Sequence, residues 1–247
     1  MKAAFDATGE VLLVTGGASG IGAAAALCYV RAGGAAIVFD VVHSDELERA
    51  GVEQHEVDVA DRDAVLAAVA NVLARHGRVD ALIAGAAIQH RSPVATLDPE
   101  QWRRTLAVNL DGVVWVVQGV LGQMRARGAG SIVVFASGLA NAGRADASAY
   151  AASKGALIAF AKSLAAEVAE DRVRVNVMFP GVIDTPQFRA ANEGAEREHW
   201  RATTGIGDPE DVVGPLLFLL SEAASMSGST LTRERAFPAE DASEERA

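Results

Sequence analysis

The chain has 247 residues, of which 50% are hydrophobic and 22% charged, enough to bury a sizeable core within one domain. Its 22 basic against 32 acidic residues leave a formal net charge of −10, which disfavours nucleic acid or an anionic membrane surface as a partner and favours a small ligand. Cys28 is the only cysteine, so no intramolecular disulfide can form; with neither a signal-peptide h-region nor a run of about 18 apolar residues, a cytoplasmic protein is expected.

Short apolar runs alternate with longer helical segments. The runs are "VLLV" (11–14), "AAIVFD" (35–40), "VDALIAG" (79–85), "SIVVFAS" (131–137) and "VRVNVMFP" (173–180). Bare, β-branched runs of this kind suit strands covered on both faces. The covering helices have their own signals. "GAAAALCYV" is small enough for close packing on a sheet, and "DRDAVLAAVANVLARHG" opens on Asp61 as N-cap and stops at Gly77. The stretch from Leu97 to Met124 starts with Asp98 as cap, Pro99 at the first helical position and Gln101 at capping-box spacing. Asp208 and Pro209 repeat that device, with Pro215 expected to kink or restart the helix. Strand–helix alternation of this order predicts an α/β fold with a doubly wound parallel sheet of Rossmann type, a single domain over 1–238. The last nine residues, "AEDASEERA" (239–247), lack apolar periodicity and are expected to form a mobile acidic tail.

Two constellations carry chemistry. In "TGGASGIG" the glycines follow a strand directly and open a helix, where unpaired N–H groups and the helix dipole favour phosphate. Residues 20–25 also satisfy G-x-G-x-x-G/A, and Asp40 ends the next strand 20 residues after Gly20, where an acid can accept from a ribose hydroxyl. A dinucleotide is therefore expected to approach Gly16, Gly20 and Gly22. Further along, Tyr150 and Lys154 lie four residues apart on one helical face amid small neighbours, and Ser137 ends the preceding apolar run. Hydride departure from a secondary alcohol needs the hydroxyl proton to leave as well, so a base is wanted. Free tyrosine has a pKa of about 10, and the Lys154 ammonium is expected to favour its phenolate, with Ser137 holding the substrate oxygen.

These motifs resemble the short-chain dehydrogenase/reductase family over about residues 8–231. Its pattern T-G-x-x-x-G-x-G is met by Thr15, Gly16, Gly20 and Gly22, with Ser19 and Ile21 in the same loop. The resemblance implies NAD as cofactor and further contacts: Asp58 and Val59 at adenine after a third strand, and Pro180, Gly181, Ile183 and Thr185 around the nicotinamide. It also implies Ser137, Tyr150 and Lys154 as the catalytic group with Asn109 positioning a relay water, an alcohol or ketone substrate, and a homodimer or homotetramer. NADP-preferring relatives usually supply a base just before the second motif glycine or just after the second strand; here those places hold Ser19 and "VVHS", where only His43 could become positive.

Two departures stand out. "AGAA" (84–87) replaces N-N-A-G, removing an asparagine that steadies the central strands and putting Ala87 where glycine commonly approaches the ribose. After "SGSTLT" the chain continues "RERAFPAEDASEERA" in place of V-D-G-G, which leaves open the last strand, its pocket-closing turn and that part of an oligomer interface. These differences keep a second reading in view: a dinucleotide-binding sensor on the same fold with weak or lost turnover. Residues 187–205 fall where the family places a mobile lid, with Trp200 as a cap over an apolar ligand; a solvated amphipathic helix is the commoner form of so charged a stretch. Gln89, His90 and Arg144 are pocket-edge candidates by position alone. His43, His55, His76, His90 and His199 form no metal-ligand spacing, no G-x-S-x-G elbow occurs, and the aromatics are not interleaved with basic residues.

Overall fold

The computed structural model describes residues 4–235. Seven parallel strands form one sheet, built in chain order as β1 (Val11–Thr15), β2 (Ala35–Asp40), β3 (Glu53–Glu56), β4 (Ala81–Ala84), β5 (Gly130–Phe135), β6 (Val173–Phe179) and β7 (Thr230–Thr232). Their spatial order is β3-β2-β1-β4-β5-β6-β7, so the winding reverses between β1 and β4. Among the described residues ten α-helices connect them: α1 (Gly20–Arg31), α2 (Asp45–Arg49), α3 (Arg62–His76), α4 (Pro99–Leu106), α5 (Gly112–Arg127), α6 (Leu139–Ala142), α7 (Ser148–Glu167), α8 (Pro186–Ala191), α9 (Ala195–Thr203) and α10 (Glu210–Leu220).

Alternate strand residues supply two cores. Leu13, Ile37, Leu82, Ile132 and Val175 pack with α3, α5 and α7 on one face. Leu12, Val38, Ile83, Val133 and Met178 pack with α1 and α10 on the other. The alanines of α1 serve close approach, since Ala25 and Ala26 are completely buried. β3 escaped notice as an apolar run because Glu53-Gln54-His55-Glu56 contains no apolar residue; it is an edge strand held by pairing with β2. β7 also forms, pairing Thr230–Thr232 with Val177–Phe179, and the Arg233 N–H extends the ladder to the Phe179 carbonyl. The 239–247 tail lies outside the described residues.

Helix ends follow the sequence signals with two differences. Asp61 caps α3 by accepting from the Ala64 N–H, Gly77 closes it in the left-handed region, and Asp98 caps α4 by accepting from the Glu100 N–H. α10, however, begins at Glu210, and the Asp208 side chain does not cap it; instead Asp211 accepts from the Asp208 N–H. Pro215 lies inside this one helix, which runs on to Leu220 without a restart. α4 runs into α5 through a π-helical turn, Ala107–Asp111. By length and composition Pro99–Arg127 would span a bilayer, but 44% of its apolar window is buried within the fold, where Val113, Val116 and Val120 face the sheet.

At the sheet's amino-terminal edge, Asp80 ties three elements together. Its carboxylate accepts from the Val11 N–H (2.9 Å) and from Arg127 at the end of α5 (2.8 Å), and pairs with Arg78. Partial burial opposes ionisation, yet Arg78, the Val11 N–H and Arg127 together hold this carboxyl below the usual range. Asp80→Asn should lower stability by about 2 kcal/mol at neutral pH. Because the folded-state pKa is depressed, this contribution is complete above the unfolded value of about 3.9 and fades as pH falls through the folded one. Denaturant titrations at pH 7 and pH 3 should therefore show the gap between wild type and Asp80→Asn narrowing at the lower pH.

Candidate active site

The carboxyl ends of the strands, at the reversal between β1 and β4, open into a cavity of about 700 Å³. Its wall includes Ser19, Gly20, Ile21 and Gly22 from the start of α1, and Asp40 from the end of β2. Gly16 also borders it, but the demand for glycine there comes from the chain itself. At φ +70°, a Cβ on Gly16 would stand 2.5 Å from the Ala86 Cα, and one on Gly22 would stand 2.7 Å from the Gly16 carbonyl oxygen. Side chains are thus excluded first by the close packing of this loop on itself and on the segment after β4. The cavity then receives the helix start: Ser19 makes no side-chain cap and the first turn of α1 holds no acidic residue. Free N–H donors and a helix dipole remain to meet an anion, so the donor set fits a dinucleotide pyrophosphate.

Thr15 stands behind the wall. It is 1% exposed, and its Oγ1 accepts from the N–H groups of Gly85 (3.2 Å) and Ala86 (3.3 Å). This clasp holds the "AGAA" segment where the expected asparagine is missing, and the β1–β4 ladder is continuous from Leu12 to Thr15. The Val59 side chain is buried against α5 at Gly112. Asp58 does line the cavity. Burial works against its charge, but Arg104 at 2.8 Å and the Ala60 N–H keep its carboxyl below the ordinary range. Arg104, which also borders the cavity, went unnoticed because only the fold brings α4 to Asp58, 46 residues earlier in the chain.

Asp40 uses one carboxylate oxygen to accept from the Ala18 N–H (2.9 Å) and the other to accept from the Val41 N–H (2.7 Å). It therefore holds the glycine loop while bordering the cavity. His43 turns away to Glu48 (3.2 Å) and Asp45 (4.0 Å) on the exposed start of α2.

Ser137, Tyr150 and Lys154 meet on the cavity wall together with Pro180, Gly181, Ile183 and Thr185. Lys154 is 3% exposed; its Nζ donates to the Phe135 carbonyl (2.8 Å) and stands 5.8 Å from the centre of the Tyr150 ring. Burial pushes this ammonium down to about 8. Burial also pushes the Tyr150 phenol up, with the hydrogen bond to Ser137 opposing it. In this arrangement the Lys154 ammonium donates to a backbone carbonyl, and burial acts on both groups.

Asn109 is fully buried in the π-helical turn, and its amide is committed to the protein: Oδ1 accepts from the Ile88 N–H (2.8 Å), and Nδ2 donates to the Ile88 carbonyl (2.9 Å) and to Ser153 Oγ (3.1 Å). Ser153 Oγ in turn donates to the Tyr150 carbonyl (2.8 Å). Asn109 therefore braces Ile88, which lines the cavity, and the first turn of α7. Such an irregular turn is a common device at functional sites.

The 186–203 stretch forms α8 and α9. Thr185 caps α8 by accepting from the Phe188 N–H (3.1 Å), and Gln187, Phe188, Asn192 and Trp200 reach the cavity. Gln89 and Arg144 border it too; His90 does not and is exposed.

Comparison with known proteins bears on the family and the fold. The family model described as short chain dehydrogenase matches residues 10–196. The chain is 35% identical to 2,3-dihydro-2,3-dihydroxybenzoate dehydrogenase of Escherichia coli over 236 residues, covering 90% of this chain and 93% of that one. Among solved structures, a gluconate 5-dehydrogenase from Burkholderia cenocepacia in complex with NADP and tartrate superposes with a TM-score of 0.87 at 32% identity, covering 94% of this chain and 96% of that one. A 3-ketoacyl-(acyl-carrier-protein) reductase from Brucella melitensis complexed with NADH gives a TM-score of 0.83 at 26% identity, covering 92% and 97%.

Asn109→Ala tests the bracing role. It leaves both polar groups of Ile88 without their partner, so stability should fall by about 2–3 kcal/mol, or roughly 5–10 °C in melting temperature for a chain of this size. A calorimetric melt within 1 °C of wild type, on that same scale, would mean that other contacts hold the segment after β4.

Proposed function

The chain belongs to the short-chain dehydrogenase/reductase family of oxidoreductases, and on that premise we propose that it moves a hydride between NAD(H) and a secondary alcohol or the matching ketone. The observation that carries this reading is the meeting of Ser137, Tyr150 and Lys154 with the open start of α1 and with Asp40 in one cavity. A bound nicotinamide dinucleotide supplies the hydride acceptor. The N–H groups of Gly20, Ile21 and Gly22 would hold its pyrophosphate, Asp40 the adenosine ribose, and Asp58 the adenine end. Pro180, Gly181, Ile183 and Thr185 would border the nicotinamide.

In the proposed oxidation, Ser137 Oγ hydrogen-bonds the substrate oxygen and holds it at Tyr150. Tyr150, as phenolate, accepts the hydroxyl proton while the hydride leaves the adjacent carbon, so charge does not build up on oxygen. Lys154 favours the phenolate and, with its own proton loosely held, can pass protons toward solvent. Asn109 and Thr15 act as positioning residues. We assign the work to the cytoplasm, to a homodimer or homotetramer, and to neither nucleic acid nor membrane, in keeping with the net charge. The sensor reading gains no support: Thr15 clasps the segment that lacks the usual asparagine, and β7 pairs in spite of the altered sequence after it.

Two measurements test the proposal. Tyr150→Phe should reduce turnover to below about a hundredth of wild type, roughly 2.7 kcal/mol, while NAD binding by calorimetry stays within a few-fold. Retained turnover above that level would remove Tyr150 from proton transfer. For cofactor choice, a 2′-phosphate would face the Asp40 carboxylate with no compensating cation, so NAD should exceed NADP by at least about tenfold in kcat/KM, equivalent to roughly 1.4 kcal/mol. Asp40→Ala should shrink that ratio. Equal use of both cofactors by the wild type would show that Asp40 does not read the ribose.

A further inference from the structure

At the substrate end of the cavity, two arginines from separate loops converge on one carboxylate. Arg91, in the segment after β4, donates through Nη1 to both oxygens of Glu196 (2.8 and 2.6 Å) and to the Ala191 carbonyl (3.2 Å). Arg144, just before α7, reaches Glu196 Oε1 through Nη2 (3.0 Å) and donates through Nη1 to Asn192 Oδ1 (2.8 Å). The two loops are tied together, since the Ser92 N–H donates to the carbonyl of Asp146, a residue held at φ +63°.

Arg144 is also fixed from the lid side. Its guanidinium stands 5.3 Å over the Trp200 ring, Trp200 Nε1 donates to the same Asn192 Oδ1 (3.0 Å), and Asn192 Nδ2 donates to the Phe188 carbonyl (2.9 Å). Arg144, Asn192 and Trp200 border the cavity, whereas Arg91 and Glu196 stand behind them. Two guanidinium groups thus share one carboxylate, and one of the two, pre-oriented, faces the ligand space. Arg91 Nε is moreover buried without a hydrogen-bond partner.

We propose that Arg144 determines specificity by receiving a carboxylate of the substrate, which makes the substrate class a hydroxy acid and its keto counterpart. A single surplus positive charge matches a monoanion, and a planar guanidinium matches a carboxylate in two parallel N–H···O bonds. Within the chain Glu196 is held through single nitrogens, Nη1 of Arg91 and Nη2 of Arg144. Gln89 and Asn141 on the same wall offer hydrogen bonds to further hydroxyls. Arg144 lies six positions before Tyr150, so the carboxylate is anchored on the loop that leads into the helix carrying the base. This assignment rests on the oxidoreductase reading for its chemistry but not for its binding step.

The test uses the full chain loaded with NADH and calorimetric titration of 3-hydroxybutyrate, 4-hydroxycyclohexanecarboxylate and gluconate, each against its own amide. For at least one pair the acid should bind about tenfold tighter or more, and Arg144→Gln should erase that difference while leaving amide binding within a few-fold. Glu196→Gln should strengthen acid binding several-fold, because the competing internal carboxylate is gone; a purely structural latch would instead weaken acid and amide together. Acids that bind no tighter than amides, a preference that survives Arg144→Gln, or a Glu196→Gln protein with unchanged or weaker acid binding would each overturn the assignment. Acid preference without any NAD-linked turnover would refute the proposed reaction and leave Arg144 in place. Turnover of neutral alcohols with no acid preference would do the reverse.

Discussion

The architecture depends on the backbone contact between the glycine loop after β1 and the segment after β4. Gly16 lies so close to Gly85 and Ala86 that no side chain fits, and the Thr15 hydroxyl clasps both amides from below. That contact sits where the strand order reverses, so the loops diverge on either side and leave a crevice above the strand ends. Asp40 secures the other flank by binding the Ala18 N–H. The glycines therefore shape the site before any ligand arrives, and the start of α1 is left with uncommitted N–H groups as a result.

Burial then sets the electrostatics. Lys154 sits among apolar groups with a single carbonyl partner, which weakens its hold on its proton, and the same dry surroundings resist ionisation of Tyr150. The rigid support comes from one layer deeper. Asn109, in its π-helical turn, holds Ile88 and, through Ser153, the first turn of α7, so the wall of the cavity and the tyrosine are referenced to the same buried amide.

The substrate end is built differently, from charged and polar groups on loops and short helices. Thr185 caps α8, Asp184 holds Arg189 and Arg197, and Glu196 links the lid to both Arg91 and Arg144. A half-open shell of ion pairs is easier to rearrange than a packed apolar core, since water can replace each partner.

The sequence by itself determined what depends on near neighbours in the chain. Apolar runs made the five inner strands legible, Asp61, Gly77 and Asp98 marked helix ends, and the glycine spacing and the Tyr150–Lys154 interval marked the two halves of the site. Each of these features is set by backbone geometry over a few residues. The edge strand β3 was not legible as an apolar run because its stability comes from pairing with β2, and its own side chains are polar. Only the tertiary structure decided that Thr15 and Asn109 brace the wall from behind, that Arg104 joins Asp58, and that Arg91 and Arg144 close on Glu196. These are contacts between residues tens to a hundred positions apart, and their existence depends on how sheet and helices pack. Burial shifts the proton affinities of Tyr150 and Lys154 for the same reason: solvent exclusion belongs to the assembled fold, and no interval in the sequence encodes it.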